Sequence, residues 1–149
     1  MSRPADDAPR SIRLELEVAG TPEEVWEAIA SGPGISSWMH PTRVDPEAGA
    51  FTFDMGSGRE QAGRITAWEP PRRLVQESDW HSQDGERTTL ASEWIVEARS
   101  GGACVVRLVV SGFGSSASWD DELEGFESSM EQALRNLRLY LPVTLVRRR

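Results

Sequence analysis

The chain contains no lysine. All sixteen of its basic residues are arginine, set against twenty-four acidic ones, for a formal net charge of −8 over 149 residues. A surface of that sign excludes non-specific binding to nucleic acid or to an anionic membrane, since both need a basic face. The choice of arginine over lysine reads as genomic bias of a bacterial kind, with no bearing on function. Cysteine is nearly absent as well, and the single Cys104 excludes an intrachain disulfide. No apolar run approaches the ~18 residues of a spanning helix, so no membrane insertion is expected. Met1–Arg10 lacks the apolar segment of a secretory signal. A reducing cytoplasm is the expected location.

Histidine is scarce too. His40 and His81 lie far apart in sequence, and with one cysteine they do not make a zinc set; no carboxylate cluster sits on an apolar face. No metal and no cofactor is expected. No Ser-His-Asp or Cys-His pair has a supporting motif, and Gly112-Phe113-Gly114 does not match a phosphate loop.

What the chain does have is a long amphipathic helix after a run of short strands. From Trp119 the large apolar residues fall at Leu123, Phe126, Met130, Leu134, Leu137 and Leu141, steps of 4, 3, 4, 4, 3 and 4. Those steps hold one stripe on a 3.6-residue helix, roughly 33 Å long over 119–141. Ser118 is the expected N-cap, Asp120, Asp121 and Glu122 suit the first turn, and Pro142 is the expected stop. Gly125 in its interior costs ~1 kcal/mol relative to alanine, and close approach of a strand or a ligand beside Phe126 would account for it.

Upstream, Ile12, Leu14, Leu16 and Val18 alternate with charged residues as in a strand with one wet face. Thr21-Pro22-Glu23-Glu24 is a capping box with proline at the first helical position. Its helix is expected to stop at Gly32-Pro33-Gly34, with a second short helix around Ile35–Met39. Strands follow through Phe51, Phe53 and Met55, over 60–69, over 74–80, over 88–97 and over 103–111. The parts assign residues 1–10 to a disordered tail, 11–142 to one domain and 143–149 to a C-terminal tail. The fold class is α+β: a helix-grip arrangement in which a curved antiparallel sheet of six or seven strands wraps the long C-terminal helix, with two short helices after the first strand.

The pattern resembles the SRPBCC superfamily (START-like, birch-pollen-allergen-like). Within it, the resemblance is to the homologues of an activator of a heat-shock chaperone ATPase. Thr21-Pro22-Glu23-Glu24-Val25-Trp26, Trp38, Gly63-Arg64-Ile65, the run Trp68-Glu69-Pro70-Pro71-Arg72-Arg73-Leu74-Val75, Ser111-Gly112-Phe113 and Trp119 carry it, in order, over roughly 11–141. Two positions depart: Gly49-Ala50 stands where relatives often have Gly-Gly, and Val110 where they often have histidine. The resemblance implies a cavity between helix and sheet rather than one reaction.

Such a cavity would have Trp38, Met39 and His40 at its mouth and Phe51, Phe53 and Met55 on one wall. Gln76, Ser78, Trp80, Trp94 and Phe113 would come from the later strands, and Trp119, Phe126 and Met130 from the long helix. Trp38 and Trp80 are the best placed of the six tryptophans; the alternative is that these rings are plain core. Gln76 and Ser78 put polar groups on the face of Leu74 and Trp80, so they either pair internally or meet a ligand or water, because an unpaired buried polar group costs ~1–3 kcal/mol. Glu77, Asp79 and Glu93 have the opposite parity and belong in water. The expected function is non-catalytic binding of a small hydrophobic or amphipathic molecule. The alternatives are a polyketide cyclase- or dehydratase-like enzyme, with His40 as a weak candidate acid–base, a co-chaperone-like interaction module, and a sealed scaffold. Homodimerisation is left open.

Overall fold

The computed structural model describes residues 10–82 and 85–147, with side chains described as far as Leu141. Of the disordered tail expected over 1–10, residues 1–9 lie outside the described ones. Arg10 itself opens strand β1 (Arg10–Ala19).

Helix α1 (Pro22–Ala30) follows, opened by the capping box: the Glu24 amide donates to Thr21 Oγ1 and the Thr21 amide to Glu24 Oε1. Helix α2 spans Gly32–Ser36, with Ser31 Oγ accepting from the Gly34 amide. Gly32-Pro33-Gly34 therefore begins the second helix and is not the break expected there. Proline fits a first turn, where its missing N–H would have no intrahelical partner. Six strands then complete a seven-stranded sheet: β2 (Thr42–Asp45), β3 (Ala50–Gly56), β4 (Arg59–Glu69), β5 (Arg73–His81), β6 (Arg87–Arg99) and β7 (Ala103–Phe113). Every neighbouring pair is antiparallel, in the order β1-β7-β6-β5-β4-β3-β2.

The chain closes with a 3-10 turn (Ala117–Trp119) and helix α3 (Asp120–Arg147). Two expectations are corrected here. Ser118 does not cap the helix, because it lies inside the 3-10 turn that precedes it; its hydroxyl donates instead to Glu86 Oε1 at 2.7 Å. Pro142 does not stop it either: the backbone stays helical to Arg147, since the one missing N–H costs a single bond close to an end that has few left to lose.

The two faces of the sheet differ in kind. On the concave face Cys104, Val106, Leu108 and Val110 are fully buried, as are Leu74, Leu90, Trp94 and Val96 from the strands beside them. Helix α3 lies against β1 and sets Leu134, Leu137 and Leu141 into that core. The convex face carries rows of ion pairs: Arg107 with Glu15 and Glu97, Arg73 with Glu69 and Glu93, and Arg64 with Glu77 and Asp79. These exposed pairs contribute little stability, but they leave that face wet and self-neutralised. Glu77, Asp79 and Glu93 point outward, as their parity requires.

Candidate functional site

Between α3 and the concave face of the sheet lies a cavity of about 840 Å³, a volume within the range of sites for small organic ligands. Its walls are built by three aromatic groups. At one end Trp38 and Trp94 meet edge to face at 6.1 Å. The Trp38 indole N–H donates to the Ala28 carbonyl at 2.7 Å, which fixes the ring on α1, while Asn136 of α3 donates to the Trp38 carbonyl at 3.3 Å. At the other end Trp80, Phe126, Phe113 and Trp119 form an edge-to-face chain with centroid spacings of 6.0, 5.5 and 6.4 Å. Phe51 and Phe53, 5.0 Å apart, make the third wall together with Met55. Gly63 faces Phe51 across the β3–β4 ladder, and a Cβ there would occupy the space of the Phe51 ring. The glycine thus allows that ring to lie over its own neighbouring strand.

The sheet floor is polar at one place. Ser78 is satisfied, since its hydroxyl accepts from the Trp80 indole at 2.6 Å. Gln76 is 6% exposed, borders the cavity and has no hydrogen-bond partner for its amide among the described residues. Ser92 stands directly opposite it on β6 and also borders the cavity.

All fourteen residues singled out from sequence lie on this one cavity, with Met39, His40 and Met130 among its outer lining. Trp26 and Trp68 do not; they meet edge to face at 5.2 Å elsewhere. Sequence reasoning missed Ser92, His81 and a second stripe on α3, of which it had singled out Gly125 alone: Glu122, Gly125, Ser129, Gln132 and Asn136 also line the cavity. Their spacing of 3, 4, 3 and 4 is itself helical, one position off the apolar stripe, and was a readable signal. Asp121 and Glu122, expected only as helix-start charges, border the rim too. Gly125 has no strand beside it, because an added Cβ there would meet nothing within 4 Å. The close approach proposed for it is therefore not made by protein; the position opens onto the cavity.

The connector between β7 and α3 is tied down beside the site. Ser116 and Ser118 both donate to Glu86 Oε1, at 2.8 and 2.7 Å, joining the β5–β6 loop to the start of α3. Arg10 holds the same connector through the Gly114 and Ser116 carbonyls and Asp120. The donors from Ser118 and then Ser116 pull the Glu86 carboxyl below its ordinary range. A carboxyl depressed in the folded state contributes stability above its unfolded pKa and loses it as pH falls through the folded one. The gap in urea midpoint between wild type and Glu86→Gln is therefore expected to be open near neutral pH and to close in acid. A gap independent of pH would contradict this.

The family described as "Activator of Hsp90 ATPase homolog 1-like protein" matches residues 19–142. The chain belongs to this family. Solved structures agree in fold. Protein MLL2253 from Mesorhizobium loti is 20% identical over 91% of this chain and 98% of its own, with a TM-score of 0.80. DynU16, described as a putative protein in the dynemicin biosynthetic locus, is 19% identical over 89% of this chain and 47% of its own, at 0.70. The Aha1 dimer from Colwellia psychrerythraea is 14% identical over 89% and 96%, at 0.68. No curated protein matches. Among the described residues no helix is long and apolar enough to cross a membrane.

Proposed function

We propose that this protein binds a small, largely apolar molecule in the cavity between α3 and the sheet, without turning it over. The observation that carries the reading is the aromatic-walled space of about 840 Å³, a volume left unfilled in a chain that packs the rest of its concave face tightly. Among the described residues the titratable groups on the lining are His40, His81, Asp121 and Glu122; the first three are exposed and Glu122 is half-buried, and none comes from the strands that carry Gln76 and Ser92 except His81, the last residue of β5. The test is titration with N-phenyl-1-naphthylamine, a neutral dye that brightens in apolar surroundings. Saturable binding at one site per chain, with quenching of tryptophan emission, is the expected result; no binding by the folded protein would favour a sealed scaffold.

The enzyme alternative draws support from the biosynthetic locus of DynU16. It replaces the binding reading if an enolisable substrate is turned over and His40→Ala abolishes that turnover. Among the described residues the convex face is charged and paired, and the one large apolar side chain that is exposed, Leu139, lies on α3, which counts against an apolar docking surface on the sheet. Self-association is proposed on the example of the Colwellia dimer, with Leu139, 68% exposed, as the apolar residue on the free side of α3. A cytoplasmic location suits Cys104, whose thiol is buried and donates to the Gly20 carbonyl; that burial, and then Glu23, pushes its pKa up.

A further inference from the structure

The floor of the cavity specifies what the buried end of its occupant must be. Gln76 and Ser92 are cross-strand partners on the concave face, so their Cβ atoms stand about 5 Å apart. They make no hydrogen bond to each other, and the Gln76 amide has none to any described residue although its side chain is more than nine-tenths buried. Apolar surface surrounds the pair: Ile65 packs beside Gln76 in the next strand and Val110 beside Ser92. The Gln76 amide and the half-buried Ser92 hydroxyl both open onto the cavity, so an occupant that displaces water from them must replace its hydrogen bonds, and one oxygen atom placed between them would satisfy both.

Resting on the binding reading above, we infer that the ligand inserts a neutral hydroxyl or carbonyl oxygen between Gln76 and Ser92, on a rigid aromatic or alicyclic body held by the aromatic walls. The oxygen accepts from the Gln76 amide and exchanges a second hydrogen bond with the Ser92 hydroxyl. The group is neutral because the floor holds no counter-charge. Among the described residues no arginine borders the cavity, the chain has no lysine, and the carboxylates on the lining, Asp121 and Glu122, are of the wrong sign to balance an anion. A carboxylate carried to the floor would lose its hydration with nothing to replace it, so fatty acids and other anions bind with their charge outward or not at all.

Three probes of one shape separate these outcomes: naphthalene, 2-naphthol and 2-naphthoate, titrated by calorimetry against wild type and Gln76→Leu. Wild type is expected to prefer 2-naphthol over naphthalene by about tenfold, the worth of one to two neutral hydrogen bonds, and to bind 2-naphthoate most weakly. Gln76→Leu should bring 2-naphthol and naphthalene within about twofold of each other while keeping naphthalene binding intact. Equal affinities in wild type, or a naphthol preference that survives in Gln76→Leu, would overturn the inference and leave the cavity reading standing. If none of the three binds, the cavity reading falls and this inference with it. Should Gln76→Leu fail to fold, the side-chain amide resonances of Gln76 in wild type decide. They are expected to move with 2-naphthol and not with naphthalene, and equal movement or none contradicts the assignment.

Discussion

Leu137→Ala is expected to lower the unfolding free energy by about 3–5 kcal/mol in urea denaturation, a large part of the 5–15 kcal/mol typical of a domain. Leu137 is completely buried on the face of α3 that meets β1, between Leu134 and Leu141. Its removal loses transfer energy and leaves a void in the closest-packed part of the molecule. Phe126 lies on the same sequence stripe but is only half-buried, stacked between Trp80 and Phe113 at the cavity wall. Phe126→Ala should therefore cost less, about 1.5–3 kcal/mol by the area it covers. One stripe thus does two jobs, core at its C-terminal half and wall at its N-terminal half. Equal costs at the two positions would contradict that division.

The second large effect is on binding. Gly125→Leu should abolish binding of N-phenyl-1-naphthylamine, a loss of at least about a hundredfold if the side chain fills the space the dye needs. It should also leave the protein as stable as wild type or up to ~1 kcal/mol more so, because the helix loses its interior glycine. The basis is that a Cβ at this position meets no protein atom within 4 Å and opens onto the cavity. Stability and binding moving in opposite directions is not the signature of a damaged fold. Unchanged dye affinity in a well-folded variant would place the dye, and the proposed site, somewhere else.

Most of the architecture was legible because its signals are periodic. The apolar steps from Trp119 to Leu141 and the alternation of Ile12, Leu14, Leu16 and Val18 each identify a face, and the capping box at Thr21 fixes a helix start to the residue. Boundaries set by tertiary contacts were not. Ser118 looks like an N-cap, but it lies inside a 3-10 turn whose hydroxyls reach Glu86, 32 residues away. Strand β2 at Thr42–Asp45 is four residues long, and its pairing with β3 gives it a place that its own sequence does not. The walls of the cavity were readable as aromatic residues on inward faces. Its floor was half-readable: Gln76 stands out as a polar residue on an apolar face, but Ser92 acquires meaning only from the register that sets it opposite. The polar stripe of α3 carried a readable helical spacing of its own, one position off the apolar stripe.

The central claim, that a small apolar molecule occupies the space between α3 and the sheet, has a built-in reporter in the six tryptophans. Trp38, Trp80, Trp94 and Trp119 border the cavity, whereas Trp26 and Trp68 pack on each other away from it. The most direct measurement follows the six indole N–H resonances in a proton–nitrogen correlation spectrum while N-phenyl-1-naphthylamine is added. The four cavity indoles are expected to shift together and saturate at one dye per chain, with Trp26 and Trp68 unmoved. Shifts at Trp26 and Trp68 alone, or no shift at any indole while the dye binds, would contradict the account.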